Sequence, residues 1–443
     1  LLLLLCLLPV ACCLLPVVYV VYMRFIIALW AAKSSYVLLR LLGRTASHFP
    51  GAVALKICPD FLRRIKKPPK IIVVTGTNGK TTNSNLIGDA LAFSGYRTVN
   101  NKDGSNLPEG IAACLAKGVT LFGKVKCDVA VLETDERAAY KSLPFVDPDI
   151  ILVVNIERDS LMRNAHPEYI AELLQKAIPP RAKLILNAED LYSRNIAPQN
   201  SRVYFRLENA PQSQNSTTVA AYMGYNADKQ NMRINVRETD TDLSLRLPSD
   251  SDFNILNVIS VAAVLREFGL DTKQVARFFD VAKIPEIRFG ETKIGDITIV
   301  KHATKDYNPS ACERTFEYVA AHTAQEKAVT LVFMMNYPAE NDEWTESACW
   351  LYECNFETLN KTNITRIILT GQHRFDFKLR LLLAGVPENK LYLTEHEIDA
   401  PYLLDLNGGE SVWLLHGFHI PKRVGIVFDK VTAIAAARQG ASI

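Results

Sequence analysis

Residues 75–82 read Thr75-Gly76-Thr77-Asn78-Gly79-Lys80-Thr81-Thr82. The apolar segment Ile71–Val74 before them predicts a buried strand, and the segment Asn83–Leu91 after them predicts a helix. The two glycines let backbone N–H groups approach phosphate oxygens, and the helix N-terminus adds a favourable dipole. Lys80 can neutralise the β- and γ-phosphates, and Thr81 can ligate Mg²⁺. A glycine turn that merely ends in lysine is the alternative, but the strand-to-helix context favours a phosphate-binding loop for ATP.

Length and composition describe a globular protein of more than one domain. The chain has 443 residues, a length typical of two or three domains. Apolar residues make up 49% and charged residues 22%, which is enough for large cores. The net charge of +3 gives no basis for nucleic-acid binding. The nine cysteines have no C-x-x-C spacing, so the pattern indicates neither a zinc site nor a disulfide framework.

The N-terminus is strongly apolar. Residues 1–23 carry no charge, Arg24 interrupts, and residues 25–32 are apolar again. This length can cross a bilayer, so we expect residues 1–32 to form a transmembrane helix or membrane anchor. Residues 33–70 read as a basic helical connector, and the positive-inside rule places it and the following domains on the cytoplasmic side of the cell membrane. A cleaved signal peptide is the competing interpretation, but the segment has no basic n-region.

Apolar runs alternate with helical stretches from residue 71 onwards, and this predicts an α/β fold with a mainly parallel sheet. The first domain spans residues 71–283, with predicted strands at Val129–Leu132, Ile150–Val154 and Lys183–Leu186. Within it, the polar residues 201–250 suggest either a small β insertion or a loose excursion. A second α/β domain spans residues 284–443. Its predicted strands are Ile297–Val300, Val329–Phe333 and Ile367–Leu369, and its last predicted helix is Val424–Ala437.

Polar side chains follow the predicted strands of the first domain. They are Glu133, Asp135 and Glu136, then Asn155, Arg158 and Asp159, then Asn187 and Asp190. In an open α/β sheet the ligand crevice lies at the carboxyl ends of the strands, where a carboxylate can hold Mg²⁺. Any one of these residues could instead cap a helix or form a turn. Three such sets in register with the glycine loop favour a metal–nucleotide site.

Residues 75–82 resemble the ATP loop of the Mur ligase superfamily, whose members join amino acids or ammonia to carboxylates through an acyl-phosphate. A closer resemblance is to the MurT-type subunits of lipid II isoglutaminyl synthase, and it covers most of residues 35–390. The blocks that carry it are Leu41–Arg44, Ile57–Leu62, Gly104–Leu107, Glu133–Glu136, Asn155–Asp159, Leu186–Asp190, Phe253–Asn257, Arg288–Glu291 and Gly371–Asp376. The loop alone indicates only the superfamily, whereas Arg158-Asp159, Arg288-Phe289-Gly290 and residues 371–386 indicate the subunit type.

The resemblance implies an ATP-dependent carbon–nitrogen ligase that activates the α-carboxylate of D-glutamate in the lipid II stem peptide. Ammonia would come from a separate class I glutaminase subunit, GatD-like, in a heterodimer. By this analogy Lys80 and Thr81 would hold the ATP phosphates and Mg²⁺, and Glu133 would be the metal carboxylate. Four further side chains would line the nucleotide, namely Asn187, Asp190, Asn254 and Asn257. Such chemistry needs charge neutralisation and alignment, not a protein nucleophile.

The sequence departs from the family pattern at three places. Many relatives carry a four-cysteine zinc ribbon in the middle domain, and residues 201–250 have no cysteine, so no zinc is expected. Met162 stands where the family usually has an acidic residue, and His166 is a candidate metal ligand or an ordinary surface histidine. The family has a Trp-x-Trp-Asp run in its C-terminal domain, and the resemblance implies that an acidic residue near it completes the partner's site or orients ammonia. Here Glu353 is the best-matched catalytic candidate and Glu346 the second.

Two other functions stay open at this point. The first is an amino-acid-adding ligase of the Mur or folylpolyglutamate type, which would act without a glutaminase. The second is a membrane-tethered scaffold that keeps the ATP fold but has lost turnover.

Overall fold

The chain divides into two compact units. The computed structural model describes residues 2–102, 105–160, 166–208, 220–228, 230–239, 241–248, 252–283, 289–335, 347–406, 410–418 and 420–438. The first unit comprises Leu1–Glu157 with Pro167–Ile284, and the second comprises Arg158–His166 with Pro285–Ile443.

The first unit is built on a nine-stranded sheet with the strand order β2-β3-β1-β4-β5-β6-β7-β8-β9. The strands are β1 Lys70–Thr75, β2 Thr98–Asn100, β3 Val129–Glu133, β4 Ile150–Val153, β5 Lys183–Asn187, β6 Arg202–Leu207, β7 Tyr222–Asp228, β8 Arg233–Glu238 and β9 Thr241–Arg246. The pairs from β2 to β7 are parallel, and β7, β8 and β9 pair antiparallel. The mainly parallel sheet predicted from the apolar runs is therefore confirmed.

Helices cover both faces of this sheet. They are α1 Leu2–Leu41, α2 Phe49–Ile57, α3 Phe61–Arg64, α4 Lys80–Phe93, α5 Pro108–Lys117, α6 Leu143–Val146, α7 Pro167–Ala177, α8 Leu191–Asn195, α9 Asp252–Phe268 and α10 Thr272–Val281. One core contains α4, α9 and α10, and the other contains α1, α2, α5 and α7. Because both faces are covered, β1, β3 and β4 are almost wholly buried, which explains their continuous apolar sequence.

The part of residues 201–250 that the structure describes forms β strands, in agreement with the β alternative. Strands β6 to β9 lie in this region and extend the main sheet by four strands. In β9 only Leu243 and Leu245 are buried, while their neighbours Asp242, Ser244 and Arg246 are exposed. A strand with one face in solvent alternates polar and apolar residues. This alternation, rather than an absence of structure, accounts for the polar composition.

Helix α1 is continuous across the boundary that the sequence placed at residue 32. Phe25, Leu29 and Ala32 lie on one face of α1 and are buried in the core with α2 and α5. The helix therefore has no break at residue 32, and residues 25–32 belong to the folded unit. Composition could not reveal this, since a lipid-facing helix and a core-facing helix are both apolar. Among the residues that the structure describes, no helix has both the length and the apolar character needed to cross a bilayer.

We expect Leu29→Ala to destabilise the protein by about 2–5 kcal/mol, because it leaves a cavity beneath α1. Leu29 is fully buried, whereas Leu38 on the same helix is 58% exposed. Leu38→Ala is thus the matched control and should change the free energy of unfolding by less than about 0.5 kcal/mol. Urea unfolding of both variants measures the difference. Equal effects would mean that α1 does not pack as described.

The second unit contains a six-stranded sheet with the order β10-β11-β15-β12-β13-β14. Its strands are β10 Phe289–Ile294, β11 Ile297–Ala303, β12 Ala328–Met334, β13 Ile364–Thr370, β14 Leu391–Thr394 and β15 Glu410–His416. All pairs are parallel except β10 with β11. Its helices are α11 Pro309–His322, α12 Arg374–Leu383 and α13 Pro421–Arg438. The helix predicted at Val424–Ala437 is confirmed, and α13 buries Val424, Val427 and Val431.

Candidate active site

The loop between β1 and α4 has the backbone of a phosphate-binding turn. Gly76 has a φ of 127°, and Gly79 has a φ of 86° at the position that caps α4. No side chain caps this helix N-terminus. The amide N–H groups in the first turn of a helix have no partner within the helix, so they can bind an anion. Thr81 is exposed in that turn and Thr82 is half-buried.

The loop is held by the segment that follows β4. Asn155 accepts the Thr77 N–H at its backbone oxygen at 2.9 Å and the Asn78 N–H at its Oδ1 at 2.8 Å. The Thr77 hydroxyl donates to the Glu157 backbone oxygen at 3.0 Å and accepts the Glu157 backbone N–H at 2.9 Å. The Glu157 carboxylate accepts from the Asn78 side chain at 2.8 Å. Sequence reasoning placed Asn155 at this sheet edge but gave Glu157 no role. The loop therefore has a fixed shape before any ligand arrives.

Lys80 lies inside the turn and pairs with Glu136. Its Nζ is 3.0 Å from Glu136 Oε2 and also donates to the backbone oxygens of Gly76 and Thr77. Burial disfavours the charge, but the carboxylates of Glu136, Glu133 and Asp135 outweigh it and raise the pKa of Lys80. The lysine is therefore a fixed cation. Sequence analysis named Glu136 only as a strand-end acid and missed its pairing with the loop lysine.

Glu133, the predicted metal carboxylate, ends β3 and is 7% exposed. Asn101 Oδ1 accepts its backbone N–H at 2.8 Å, and Asn106 donates to its Oε1 at 3.2 Å. Mg²⁺ prefers one or two protein oxygens together with phosphate and water, so Glu133 and the Thr81 hydroxyl fit it. Among the described residues no three His, Cys, Asp or Glu side chains form a ready metal cluster. His166 is exposed and belongs to the second unit, so its role as a ligand stays a prediction.

Asn257 joins helix α9 to the start of α4. It is buried, and its Oδ1 accepts from Asn83 at 2.7 Å. Asn83 also donates to the Gly79 backbone oxygen at 2.9 Å and accepts from Ser260 at 2.6 Å. Asn254 lies one turn earlier on α9, with its Oδ1 3.4 Å from the Asn257 amide nitrogen. Thus Asn257 supports the phosphate loop from behind, and its partners Asn83 and Ser260 were not predicted from the sequence.

Asn187 ends β5, Asp190 follows it, and both organise the backbone there. Asn187 accepts the Glu189 N–H at 2.9 Å. Asp190 caps α8 by accepting the Ser193 N–H at 3.0 Å, and it also accepts the Ile156 N–H at 2.7 Å. The helix-cap alternative considered for such residues therefore describes Asp190. Burial raises its pKa to about 6 despite the backbone donors around it.

This raised pKa predicts a pH-dependent stability. Because the folded protein holds the proton on Asp190 more tightly than the unfolded chain does, its contribution is complete below pH 3.8 and is lost as the pH rises through about 6. We expect the unfolding free energy of wild type minus that of Asp190→Asn to fall by about 3 kcal/mol as the pH rises through that window. Urea unfolding of both proteins at several pH values measures it. A difference that stays flat or grows with pH would contradict the burial of this carboxylate.

In the second unit, Arg158 and Asp159 lie against residues that follow β11 and β12. Asp159 accepts from Lys305 at 2.7 Å and from Asn308 at 3.1 Å, and Asn308 caps α11. Arg158 donates to Glu353, the first acidic candidate of this unit, and about a third of each side chain is exposed. Lys305 and Asn308 were missed from the sequence. The second candidate, Glu346, lies outside the described residues.

The loop, its buried lysine and the strand-end carboxylates define a P-loop nucleotide-binding protein of the α/β class. The Mur ligase middle domain model matches residues 74–265, and the MurT ligase C-terminal model matches residues 306–416. The chain is 27% identical over 404 residues to the lipid II isoglutaminyl synthase (glutamine-hydrolyzing) subunit MurT of Staphylococcus aureus (strain COL), covering 82% of this chain and 89% of that protein.

Solved structures of Mur ligases share the fold. MurF from Acinetobacter baumannii superposes with a TM-score of 0.64 at 17% identity, over 86% of this chain and 80% of that one. MurF from Thermotoga maritima in complex with ADP gives a TM-score of 0.58 at 16% identity, over 87% and 85%. The chain belongs to the Mur ligase superfamily.

Proposed function

We propose that the chain is the ATP-using subunit of a lipid II isoglutaminyl synthase, which converts the D-glutamate α-carboxylate of the stem peptide to an amide. The observation that carries this proposal is the match of residues 306–416 to the MurT ligase C-terminal model. The middle-domain match alone would fit an amino-acid-adding ligase equally well. Similarity to a MurT subunit along 82% of the chain supports the same choice.

The proposed chemistry uses two steps. A carboxylate oxygen of the substrate attacks the γ-phosphorus of ATP, so that ADP leaves and an acyl-phosphate forms. Ammonia then attacks the acyl carbon, a carbon–nitrogen bond forms, and inorganic phosphate leaves after the nitrogen loses a proton. Lys80 and the N–H groups at the start of α4 hold and neutralise the transferring phosphoryl group. Mg²⁺, held by Thr81 and Glu133, would supply further charge neutralisation.

Other residues serve the nucleotide or the second reactant in this proposal. Asn254 would contact the nucleotide, while Asn187, Asp190 and Asn257 shape the backbone around the site. By the family resemblance, Glu353 or Glu346 would complete the site of the glutaminase partner or orient ammonia.

A class I glutaminase of the GatD type would release that ammonia within a heterodimer. The substrate is lipid-linked, so we also propose that the uncharged residues 1–23, which precede the buried part of α1, hold the chain at the cytoplasmic face of the cell membrane.

ATP consumption by the chain together with a class I glutaminase partner tests the proposal. Lipid II is the acceptor, glutamine is the nitrogen source, and Lys80→Ala is the inactive control. We expect turnover that needs both acceptor and glutamine, with a product in which mass spectrometry finds –NH₂ in place of –OH. Turnover only with a free amino acid would favour an amino-acid-adding ligase. Nucleotide binding without turnover on any acceptor would favour a scaffold.

A further inference from the structure

Helix α1 presents an exposed apolar stripe on the face opposite to its buried one. At about 100° of rotation per residue, the exposed side chains fall within roughly a third of the helix circumference, so they lie along one side of the helix. Their exposed fractions range from 44% to 80%. They are Ile27, Trp30, Val37, Leu38 and Leu41. Large contiguous apolar surfaces are rare on soluble monomers and mark interaction sites.

A tight hairpin extends this stripe. Residues 118–126 form it, with the Thr120 N–H bonded to the Lys124 oxygen at 2.7 Å and a bridge between Val119 and Val125. The tip carries Leu121 and Phe122, which are 55% and 75% exposed. Two adjacent large apolar side chains in contact with water are unfavourable unless another surface covers them.

The hairpin is fixed to α1 by two side chains. Trp30 Nε1 donates to the Leu121 oxygen at 2.9 Å, so the tip lies beside the stripe. Lys33 Nζ donates to the backbone oxygens of Ala116 and Val119, each at 2.7 Å. Stripe and tip therefore form one surface, which we name the α1–hairpin surface: Ile27, Trp30, Val37, Leu38, Leu41, Leu121 and Phe122.

The two segments that form this surface carry charged side chains of a single sign. No Asp or Glu occurs in residues 1–59 or in residues 110–127. Exposed basic side chains border the apolar residues from both segments, and they are Arg24, Arg40, Arg44, Lys124 and Lys126. An apolar face with a cationic border is complementary to a bilayer interface that contains anionic lipid. A protein partner would have to present an equally large apolar face with acidic edges.

We propose that the α1–hairpin surface docks on a bilayer that contains anionic lipid, with Leu121 and Phe122 inserted among the headgroups. Trp30 then lies at the interface, where aromatic side chains with a polar edge are favoured. The docking surface belongs to the folded unit, and it is distinct from the anchoring proposed for residues 1–23. It does not depend on the reaction that the protein catalyses.

Hydrogen–deuterium exchange of the full chain on vesicles tests the proposal. One vesicle contains phosphatidylcholine alone and the other also contains phosphatidylglycerol. Because the full chain is used, attachment through residues 1–21 is the same for every variant, and the readout is the exchange of peptides that cover residues 27–41 and 118–126. We expect both regions to be protected on the anionic vesicles and much less so on the neutral ones.

Three variants sharpen the result. Phe122→Asp should abolish protection of residues 118–126, whereas Phe375→Asp changes an aromatic of similar exposure, 62%, in the second unit and should leave it intact. Combining Lys124→Glu with Lys126→Glu should raise the lipid concentration for half-protection roughly tenfold or more.

Two outcomes would overturn the proposal. One is a vesicle-bound chain whose hairpin exchanges as fast as it does in solution. The other is protection that appears without vesicles on adding the glutaminase or more of the chain, which would assign the surface to a protein interface.

Discussion

We expect Lys80→Ala to lower acceptor-dependent ATP turnover by roughly 10²–10³-fold, which is the usual effect of losing one fixed charge or donor at a transferring group. The lysine is the cation inside the phosphate-binding turn, and its pairing with Glu136 keeps it charged and in place. Removing it has a second consequence. Glu136 has a side chain only 2% exposed, and it would be left as a buried carboxylate without its cation, next to the position that receives phosphate.

The second consequence can be separated from the first. Adding Glu136→Gln to Lys80→Ala removes the unpaired charge, so we expect the double variant to regain much of the lost stability but not the turnover. Steady-state ATP hydrolysis and urea unfolding measure the two properties. Lys70→Ala is the matched control, because Lys70 is exposed and its ion pair with Asp149 is long, at 3.8 Å. Turnover that returned together with stability would show that Lys80 is structural rather than catalytic.

The apolar pattern predicted the parts of the fold that are buried on both faces. Strands β1, β3, β4 and β5 read as continuous apolar runs because helices cover them above and below. Strands β8 and β9 belong to the same sheet but have one solvent face, so their sequence is mixed and read as an insertion. The apolar pattern of a segment indicates how many faces of a strand are covered by other elements, but it does not indicate whether a strand is present.

Only some residues of the candidate site could be predicted from the sequence. The phosphate loop could be predicted because strand, loop and helix are adjacent in the chain. The residues that fix the loop are distant in sequence, as with Asn83 and Asn257, which are 174 positions apart. The local sequence of a short polar segment does not identify the distant residues that it contacts in the fold. Of the missed partners, Glu136 was the easiest to predict from the sequence, since it lies in the acidic run that begins at Glu133.

We expect Gly76→Ala to weaken nucleotide binding roughly 100-fold, because displaced loop amides no longer match the phosphates. A Cβ at this position would lie 2.6 Å from the backbone oxygen and 3.0 Å from the backbone nitrogen of Asn155. Neither can move easily, because the same oxygen accepts the Thr77 N–H at 2.9 Å. The φ of 127° adds strain for any residue with a Cβ. Together these effects should lower the free energy of unfolding by about 3 kcal/mol.

The substitution Gly95→Ala separates the effect of the steric collision from the effect of backbone strain. Its φ of 91° also lies in the region that favours glycine, but no atom lies within 4 Å of a Cβ built there. Gly95→Ala should therefore lower stability by only about 1–2 kcal/mol and leave nucleotide affinity unchanged. Calorimetric titration with a non-hydrolysable ATP analogue, together with urea unfolding, compares the variants. If both alanines had the same effect on affinity, contact with Asn155 would not be what fixes the loop. A loss confined to Gly76→Ala would establish that the segment after β4 holds the phosphate-binding turn in its binding shape.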